Sequence, residues 1–216
     1  MPTLDCRTLE RPVIDRQLFE RLVVAVARRI IAASDTLSEL DRTIGDGDHG
    51  INMRRGMEAV LAGREMVLDL AFGQALQAIG HQIVGSVGGA SGPLVATWFL
   101  TLGRNWPQSG TDLPIDAFEA ALQAVKARGR SDVGQKTLID VLAPVTEAIK
   151  SGLACRELGG LANRAAEATK PMLATRGRAA FLGDRSIGHM DPGACSVALM
   201  IETAAGLLAK AEERMA

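Results

Sequence analysis

The sequence predicts a single all-α domain. Aromatic residues make up 3% of the chain, tyrosine is absent, and β-branched residues are thinly spread, which argues against a large β-sheet. Alanine and leucine, which favour helices, are abundant. Because glycine weakens a helix interior, the 23 glycines are expected at corners between helices or where the backbone faces a ligand.

Apolar residues at helical spacing predict each helix in turn. Thr36 and Glu39 have the spacing of a capping box and predict the start of a short second helix, and Pro144 is expected to kink a later one. The predicted helices are 15–33, a short one after Thr36, 53–63, 69–87, one opening near Pro93, one ending at Gly129, 138–149, 156–174 and 195–214.

Length, charge and cysteine content narrow the function classes. The 216 residues suffice for one domain with a sizeable core, so we expect one domain over 1–216 with 1–14 as a loose N-terminal segment. A net charge of -1 gives no reason to expect nucleic acid or anionic lipid as a partner. Three scattered cysteines without a CxxC pair fit a reducing compartment, and the charged N-terminus has no apolar signal segment. A cytoplasmic location is expected.

One long stretch, 70–103, contains no charged residue and requires a membrane check. Glutamines, a histidine and several glycines interrupt it, so it offers no run of roughly 20 predominantly apolar residues. We expect two buried helices joined by a glycine corner, and no membrane partner.

Three segments, 41–52, 88–92 and 175–194, fit neither helical nor strand periodicity. They are rich in glycine and polar residues, beyond what a simple helix bundle requires of its connections. We therefore expect the functional site in these loops.

The first loop, DRTIGDGDHGIN, contains three carboxylates, those of Asp41, Asp46 and Asp48. Clustering three carboxylates costs free energy because like charges repel, unless a cation binds between them. Ligand sets made only of oxygen atoms suit a hard ion such as Mg²⁺ or Ca²⁺. The loop therefore predicts a divalent-metal site, although a solvated turn rich in Asp-Gly pairs remains the alternative.

Two familiar motifs do not fit this loop. An EF-hand that starts at Asp46 would need Asp or Asn at its fifth position and Glu at its twelfth, where the chain has Gly50 and Met57. The string GDGDHG matches the dinucleotide-binding fingerprint, but no strand precedes it and its aspartates would repel a pyrophosphate.

The second and third loops predict anion binding. GSVGGASG, at 85–92, opens a helix, whose free N–H groups and dipole attract anions, and Ser91 adds a hydroxyl; close helix packing is the alternative. The third loop contains arginines suited to phosphate, or else it is a solvated basic loop. Metal ligands, backbone donors and arginines together predict phosphoryl transfer from a metal–nucleotide complex.

Four strings identify a resemblance that covers most of the chain. They are ELDRTIGDGDHGINMRRG (39–56), SVGGASGPL (86–94), RGRSDVGQKTLIDVLAP (128–144) and GRAAFLGDRSIGHMDPGA (177–194). In content and order they resemble the nucleotide-binding L subunit of dihydroxyacetone kinases and the L domain of single-chain relatives.

The resemblance implies a fold and a set of site residues. The fold would be a barrel of about eight antiparallel helices with the nucleotide at one end. Asp41, Asp46 and Asp48 would hold two Mg²⁺ ions, and Arg178 would act in catalysis. The implied ADP- or ATP-binding residues are His49, Gly50, Ile51, Asn52, Ala90, Ser91, Gly129, Leu138, Arg178, Asp191, Pro192 and Gly193.

The resemblance also implies partners. A separate K subunit would hold the ketone, so this chain would supply the phosphoryl group and be inactive alone. The phosphate could come from free ATP or from a phosphohistidine carrier of the sugar phosphotransferase system, and the acceptor would be dihydroxyacetone or a related small ketose. An ADP-loaded regulatory module is the alternative function. Gln135 and Phe181 replace the family's usual Asp and Tyr, which leaves the sugar and the partner open.

Overall fold

The structure, a computed structural model, describes residues 14–107 and 114–214, and every regular element in those ranges is helical. This confirms the all-α prediction. The predicted loose segment 1–14 lies, apart from Ile14, outside the described residues. The helices are α1 Arg16–Ala32, α2 Ser34–Ile44, α3 His49–Ala62, α4 Arg64–Leu68, α5 Phe72–Ser86, α6 Ser91–Arg104, α7 Ile115–Gly129, α8 Ile139–Lys150, α9 Cys155–Glu167, a 3₁₀ segment Arg178–Ser186, and α10 Pro192–Glu213.

Eight of these helices form a closed ring. Each packs against two neighbours in the order α1, α3, α5, α6, α7, α8, α9, α10 and back to α1. The short helix α4 connects α3 to α5, and α2 packs against α3, α10 and the 3₁₀ segment. The predicted barrel of about eight helices is therefore confirmed.

The interior of the barrel is apolar. All eight ring helices contribute side chains to a central cavity of about 300 Å³, and aromatic pairs such as Phe72 and Trp106, with ring centroids 4.5 Å apart, pack at its wall. No charged side chain lines this cavity. It contains none of the carboxylates or arginines that the predicted chemistry requires.

Several predicted element boundaries are wrong. Residues 41–44 belong to α2, and α3 begins at His49, so the first loop shrinks to residues 45–48. The second helix begins at Ser34, so Thr36 lies inside it and forms no cap. Residues 168–171 form turns after α9, where the sequence predicts helix. Helix α8 continues through Pro144.

The last helix starts at Pro192, three residues earlier than predicted. The Asp191 carboxylate accepts a hydrogen bond of 2.7 Å from the Ala194 N–H, and proline occupies the first helical position, where its missing N–H is no loss.

Among the described residues, α10 is the one helix long and apolar enough to cross a membrane by length and composition. In the barrel it packs between α9 and α1 as part of the wall.

The crossing of α5 and α6 depends on two glycines in contact. A Cβ on Gly73 would lie 2.7 Å from the Gly103 carbonyl oxygen, and a Cβ on Gly103 would clash with the Gly73 carbonyl oxygen. We expect Gly103→Ala to lower the free energy of unfolding by about 1–3 kcal/mol, because the two backbones must separate. Urea denaturation measures this change.

Gly206 provides the matched control for Gly103. It also lies inside a helix, but it is exposed and a Cβ there would meet no atom within 4 Å. We expect Gly206→Ala to raise stability by about 0.5–1 kcal/mol. Equal effects of the two substitutions would contradict the proposed contact.

Candidate functional site

A polar cavity of about 110 Å³ lies at one end of the barrel. Every second helix of the ring begins there: α3, α6 and α10 contribute residues of their first turn to its lining, and α8 contributes the three residues that lead into it. The full lining is Asp41, Ile44, Asp46, Asp48, His49, Asn52, Gly88, Gly89, Ala90, Ser91, Leu94, Lys136, Thr137, Leu138, Arg176, Gly177, Arg178, Ala179, Asp191, Pro192 and Gly193.

The four helix starts make this end of the barrel suited to anions. The first N–H groups of a helix have no partner within the helix, and its dipole places partial positive charge at that end. Four such ends converge on one cavity, whereas no residue from the last turn of α1, α5, α7 or α9 belongs to the lining. Phosphate groups are the ligands that such an arrangement favours.

Three carboxylates stand beside these helix starts. Ligand oxygens of Asp41, Asp46 and Asp48 lie within 4.8 Å of one another. Asp41 is buried in the last turn of α2, and its Oδ2 accepts a hydrogen bond of 3.1 Å from the His49 N–H. Asp46 is exposed and Asp48 is partly buried. This oxygen-only donor set fits a hard divalent cation, so the predicted metal ligands are brought together.

Arg178 is the cation nearest to these carboxylates. Its guanidinium pairs with Asp46 and lies 3.9 Å from Asp48. Because about half of each of these side chains is exposed, water screens the pair and it contributes little to stability. The contact places an arginine where it can reach both the aspartates and the anion-binding helix starts.

His49 ties three of the helix starts together. Its Nδ1 lies 3.0 Å from Ser91 Oγ and its Nε2 lies 3.2 Å from Ser196 Oγ. Ser196 donates its own proton to the Gly193 carbonyl oxygen, so the Nε2–H of His49 must donate to Ser196 and Nδ1 must accept from Ser91. Burial lowers the pKa of His49 to about 4, although a hydrogen bond to the Pro192 carbonyl opposes this shift.

The neutral His49 has one consequence for Ser91. Since the Ser91 proton points toward His49 Nδ1, the oxygen of Ser91 presents lone pairs to the cavity that Ser91 lines. An anion at this helix start is therefore bound by backbone N–H groups and not by the Ser91 hydroxyl.

Two further carboxyl groups act at this end of the barrel: Asp191 lines the cavity, and Asp140 supports the turn beside it. Asp191 caps α10, and burial raises the pKa of its carboxyl to about 7, with Asp140 and Asp41 adding to the shift. Asp140 accepts hydrogen bonds from the N–H groups of Gly134, at 2.5 Å, and Thr137, at 2.8 Å. These bonds hold the turn that leads into α8.

Most of the predicted site residues line the cavity, but three do not. Gly50 is buried against the Ser34 carbonyl, Ile51 is about half exposed, and Gly129 ends α7 beside Leu94. Predicted residues in the lining are Asp41, Asp46, Asp48, His49, Asn52, Ala90, Ser91, Leu138, Arg178, Asp191, Pro192 and Gly193.

The residue-by-residue prediction did not include several lining residues, chiefly Lys136, Thr137, Leu94 and Arg176. All four stand within a few residues of a predicted one. Leu94, Lys136 and Thr137 belong to the strings 86–94 and 128–144 that carry the resemblance, and Arg176 belongs to the third loop. Membership of these segments is the signal that could have identified them.

Comparison with known proteins assigns a family. The DAK2 domain matches residues 43–206. The ADP-binding subunit DhaL of a PEP-dependent dihydroxyacetone kinase from Escherichia coli is 38% identical over 78% of this chain and 86% of its own length. The corresponding subunit of kinase 1 from Listeria innocua is 39% identical over 80% and 86%. A D-erythrulose kinase from Mycolicibacterium smegmatis is 31% identical over 88% of this chain but 35% of its own length.

Solved structures show the same fold. The dihydroxyacetone kinase of C. freundii superposes with a TM-score of 0.72 over 97% of this chain, at 21% identity. The chain spans 37% of the length of that kinase. A second structure of the same kinase, in complex with AMP-PNP and Mg²⁺, gives a TM-score of 0.72 at 22% identity.

Proposed function

The chain belongs to the DAK2 domain family, and from this membership we propose that it is the nucleotide-binding subunit of a kinase for dihydroxyacetone or a related small ketose. The observation that carries the proposal is the convergence of four helix starts and three aspartates on one cavity. An anion site beside a divalent-cation site is what a metal–nucleotide complex requires. Relatives at 38% and 39% identity are named ADP-binding subunits of such kinases.

Each group in the cavity has a role in this proposal. Asp41, Asp46 and Asp48 hold Mg²⁺, as two ions, and the metal neutralises the phosphate charge when it is bound. The helix starts at Ser91 and Gly193 direct N–H groups toward the phosphates. Arg178 contacts the phosphoryl group as charge shifts during transfer, in a reaction that depends on positioning and electrostatic stabilisation.

A partner subunit holds the ketone and docks beside the cavity. Phe181 is 90% exposed, although it lies on the 3₁₀ segment that begins with Arg178, and its neighbours Ala179 and Leu182 pack against Ile44. Aromatic residues are enriched at protein interfaces, and an almost fully exposed one on a firmly packed segment supports docking at this face.

The chain acts in the cytoplasm, with no nucleic-acid or membrane partner.

The phosphoryl group comes from a phosphohistidine carrier, which recharges ADP held by this chain. What supports this source is the set of relatives at 36–39% identity, whose names describe them as PEP-dependent or PTS-dependent. The single-chain erythrulose kinases are less similar, at 30–31% identity.

Reconstitution tests the proposed function. The purified chain with ATP, Mg²⁺ and dihydroxyacetone is expected to give no turnover, because in this proposal the ketone is held by the partner subunit. Addition of the ketone-binding subunit, ADP and the phosphorylated carrier is expected to produce dihydroxyacetone phosphate, whereas free ATP in place of the carrier is expected to give little product. Turnover by the isolated chain would contradict the division of labour, and no turnover in any combination would contradict the function.

One variant of the same assay tests the docking face. Phe181→Ser is expected to raise the concentration of ketone-binding subunit needed for half-maximal rate, with Mg²⁺-dependent ADP binding unchanged. Met66→Ser is the matched control, because Met66 is 61% exposed on α4, at the opposite end of the barrel. Equal effects of the two variants would place the docking surface elsewhere.

A further inference from the structure

Lys136 is a buried lysine whose ammonium group is fully occupied. The residue is 1% exposed, and its Nζ donates to the carbonyl oxygens of Thr169, Lys170 and Met172 at 2.8, 3.2 and 3.1 Å. An ammonium has three protons, so these three bonds leave none for a ligand. Although Lys136 lines the candidate cavity, its Nζ is therefore not a phosphate ligand.

The burial of this charge is costly. An ion removed from water must be compensated by hydrogen bonds or opposite charge, and desolvation lowers the pKa of Lys136, while the charge of Asp191 opposes the shift. The backbone at Lys136 is also left-handed, with a φ of 61°, a conformation that costs free energy in a residue with a side chain. Two unfavourable features at one residue of the cavity lining indicate a function beyond filling space.

The three acceptor carbonyls mark the place where one loop leaves the barrel and returns to it. Residues 173–190, which we call the arginine loop, follow Met172 and lead back to Asp191. The Lys170 carbonyl oxygen, which accepts a hydrogen bond from Lys136 Nζ, also accepts one of 2.8 Å from the Gly188 N–H. Thr169 Oγ1 accepts a hydrogen bond of 3.0 Å from the Asp191 N–H. Both ends of the arginine loop are therefore fastened to residues that Lys136 holds.

Lys136 itself belongs to the turn before α8, a different wall of the cavity. The turn also contacts the arginine loop directly. The Thr175 N–H donates to the Gln135 carbonyl oxygen, but the two atoms are 3.5 Å apart, at the limit of a hydrogen bond. The Lys136 ammonium thus links the start of α8 to residues 169–172, to which both ends of the arginine loop are attached.

We propose that Lys136 is a positioning residue that holds the arginine loop in register with the aspartate cluster, so that Arg178 meets the transferred phosphoryl group. This role rests on the proposed function for its catalytic consequence. Its structural part, the fastening of residues 173–190, does not depend on any activity.

Limited trypsin digestion tests the structural part. Arg176, Arg178 and Arg185 are cleavage points inside the arginine loop. Well below the melting temperature, Lys136→Met is expected to speed cleavage at these points at least ~10-fold, because cleavage follows the population of the opened loop. Lys150→Met is the matched control, since Lys150 pairs with Glu119 at the far end of α8. Cleavage rates equal to the control, or a uniform increase along all helices, would overturn the proposal.

Kinetics of the assembled kinase test the catalytic part. Lys136→Met is expected to lower kcat at least ~10-fold with a smaller change in the Kd for ADP. Lys136→Arg keeps the charge but not the three-carbonyl geometry, so it should restore only part of the rate. If Lys136 acts through Arg178, the double variant with Arg178→Ala will be no slower than Arg178→Ala alone.

The outcomes separate this inference from the proposed function. Additive losses in the double variant would overturn the positioning role, and so would full activity of Lys136→Met. If the wild-type assembly shows no turnover, the proposed function fails, but the trypsin comparison still decides whether Lys136 fastens the arginine loop.

Discussion

ADP binding is expected to disappear in EDTA, and Asp46→Ala is expected to weaken Mg²⁺-dependent ADP binding at least ~100-fold, about 2.7 kcal/mol. Three clustered carboxylates face an anionic ligand, and each like-charge contact at ~4 Å costs about 4 kcal/mol at an effective dielectric of 20. Calorimetric titration of ADP with Mg²⁺ and with EDTA measures both effects. Affinity that is equal with and without Mg²⁺ would contradict the metal site.

Asp46 is the best member of the cluster to replace. It is exposed and pairs with Arg178, whereas Asp41 supports the start of α3 through the His49 N–H. In EDTA neither wild type nor the variant should bind ADP. A general folding defect in the variant would instead appear as a lower midpoint of urea denaturation, which should equal that of wild type. Asp69→Ala, which removes an exposed carboxylate paired with Arg16 at the opposite end of the barrel, should change neither titration.

Arg178→Ala is expected to lower kcat of the assembled kinase at least ~100-fold, about 2.7 kcal/mol on the transition-state scale. The guanidinium contacts the aspartates and lines the same cavity as the helix starts, where it can stabilise charge on the moving phosphoryl group. Arg178→Lys keeps the charge but loses the planar pair of donors, so we expect partial rescue. ADP affinity should change much less than the rate, the pattern of an interaction that strengthens in the transition state.

Steady-state kinetics with the partner subunit, alongside ADP titration, measure both quantities for Arg178. Arg185→Ala is the control within the same 3₁₀ segment, because Arg185 does not line the cavity and should leave kcat unchanged. If ADP affinity falls in proportion to kcat, Arg178 is a binding residue only. If neither changes, its position beside the aspartates has no role in the reaction.

The aspartate cluster could be predicted from sequence because it is local. Its members lie within eight residues, and the glycines between them leave the backbone free to converge. The start of α3 was missed for the opposite reason. His49, Gly50 and Asn52 are poor helix formers, and that turn is stabilised by contacts with distant parts of the chain, such as the Ser34 carbonyl and Ser196.

Lys136 shows where sequence reasoning ends. Its three acceptors are 33 to 36 residues away, and no local pattern distinguishes a buried lysine from a solvated one. Ile51 and Gly129 show a related limit. A motif match gives the place of a residue in the chain, but not the direction of its side chain, and neither residue lines the cavity.

Because the ring is closed, the cavity forms only when α10 is in place. Walls of the cavity come from residues as far apart as Asp41 and Gly193, and the ring closes only where the last helix, α10, meets the first. A nascent chain still lacking α10 has no finished nucleotide cavity, so ADP cannot assist the early steps of its folding. ADP bound in this cavity would bridge the start of α10 to the starts of α3 and α6. At concentrations 100 times its Kd it would stabilise the whole barrel by about 2.7 kcal/mol.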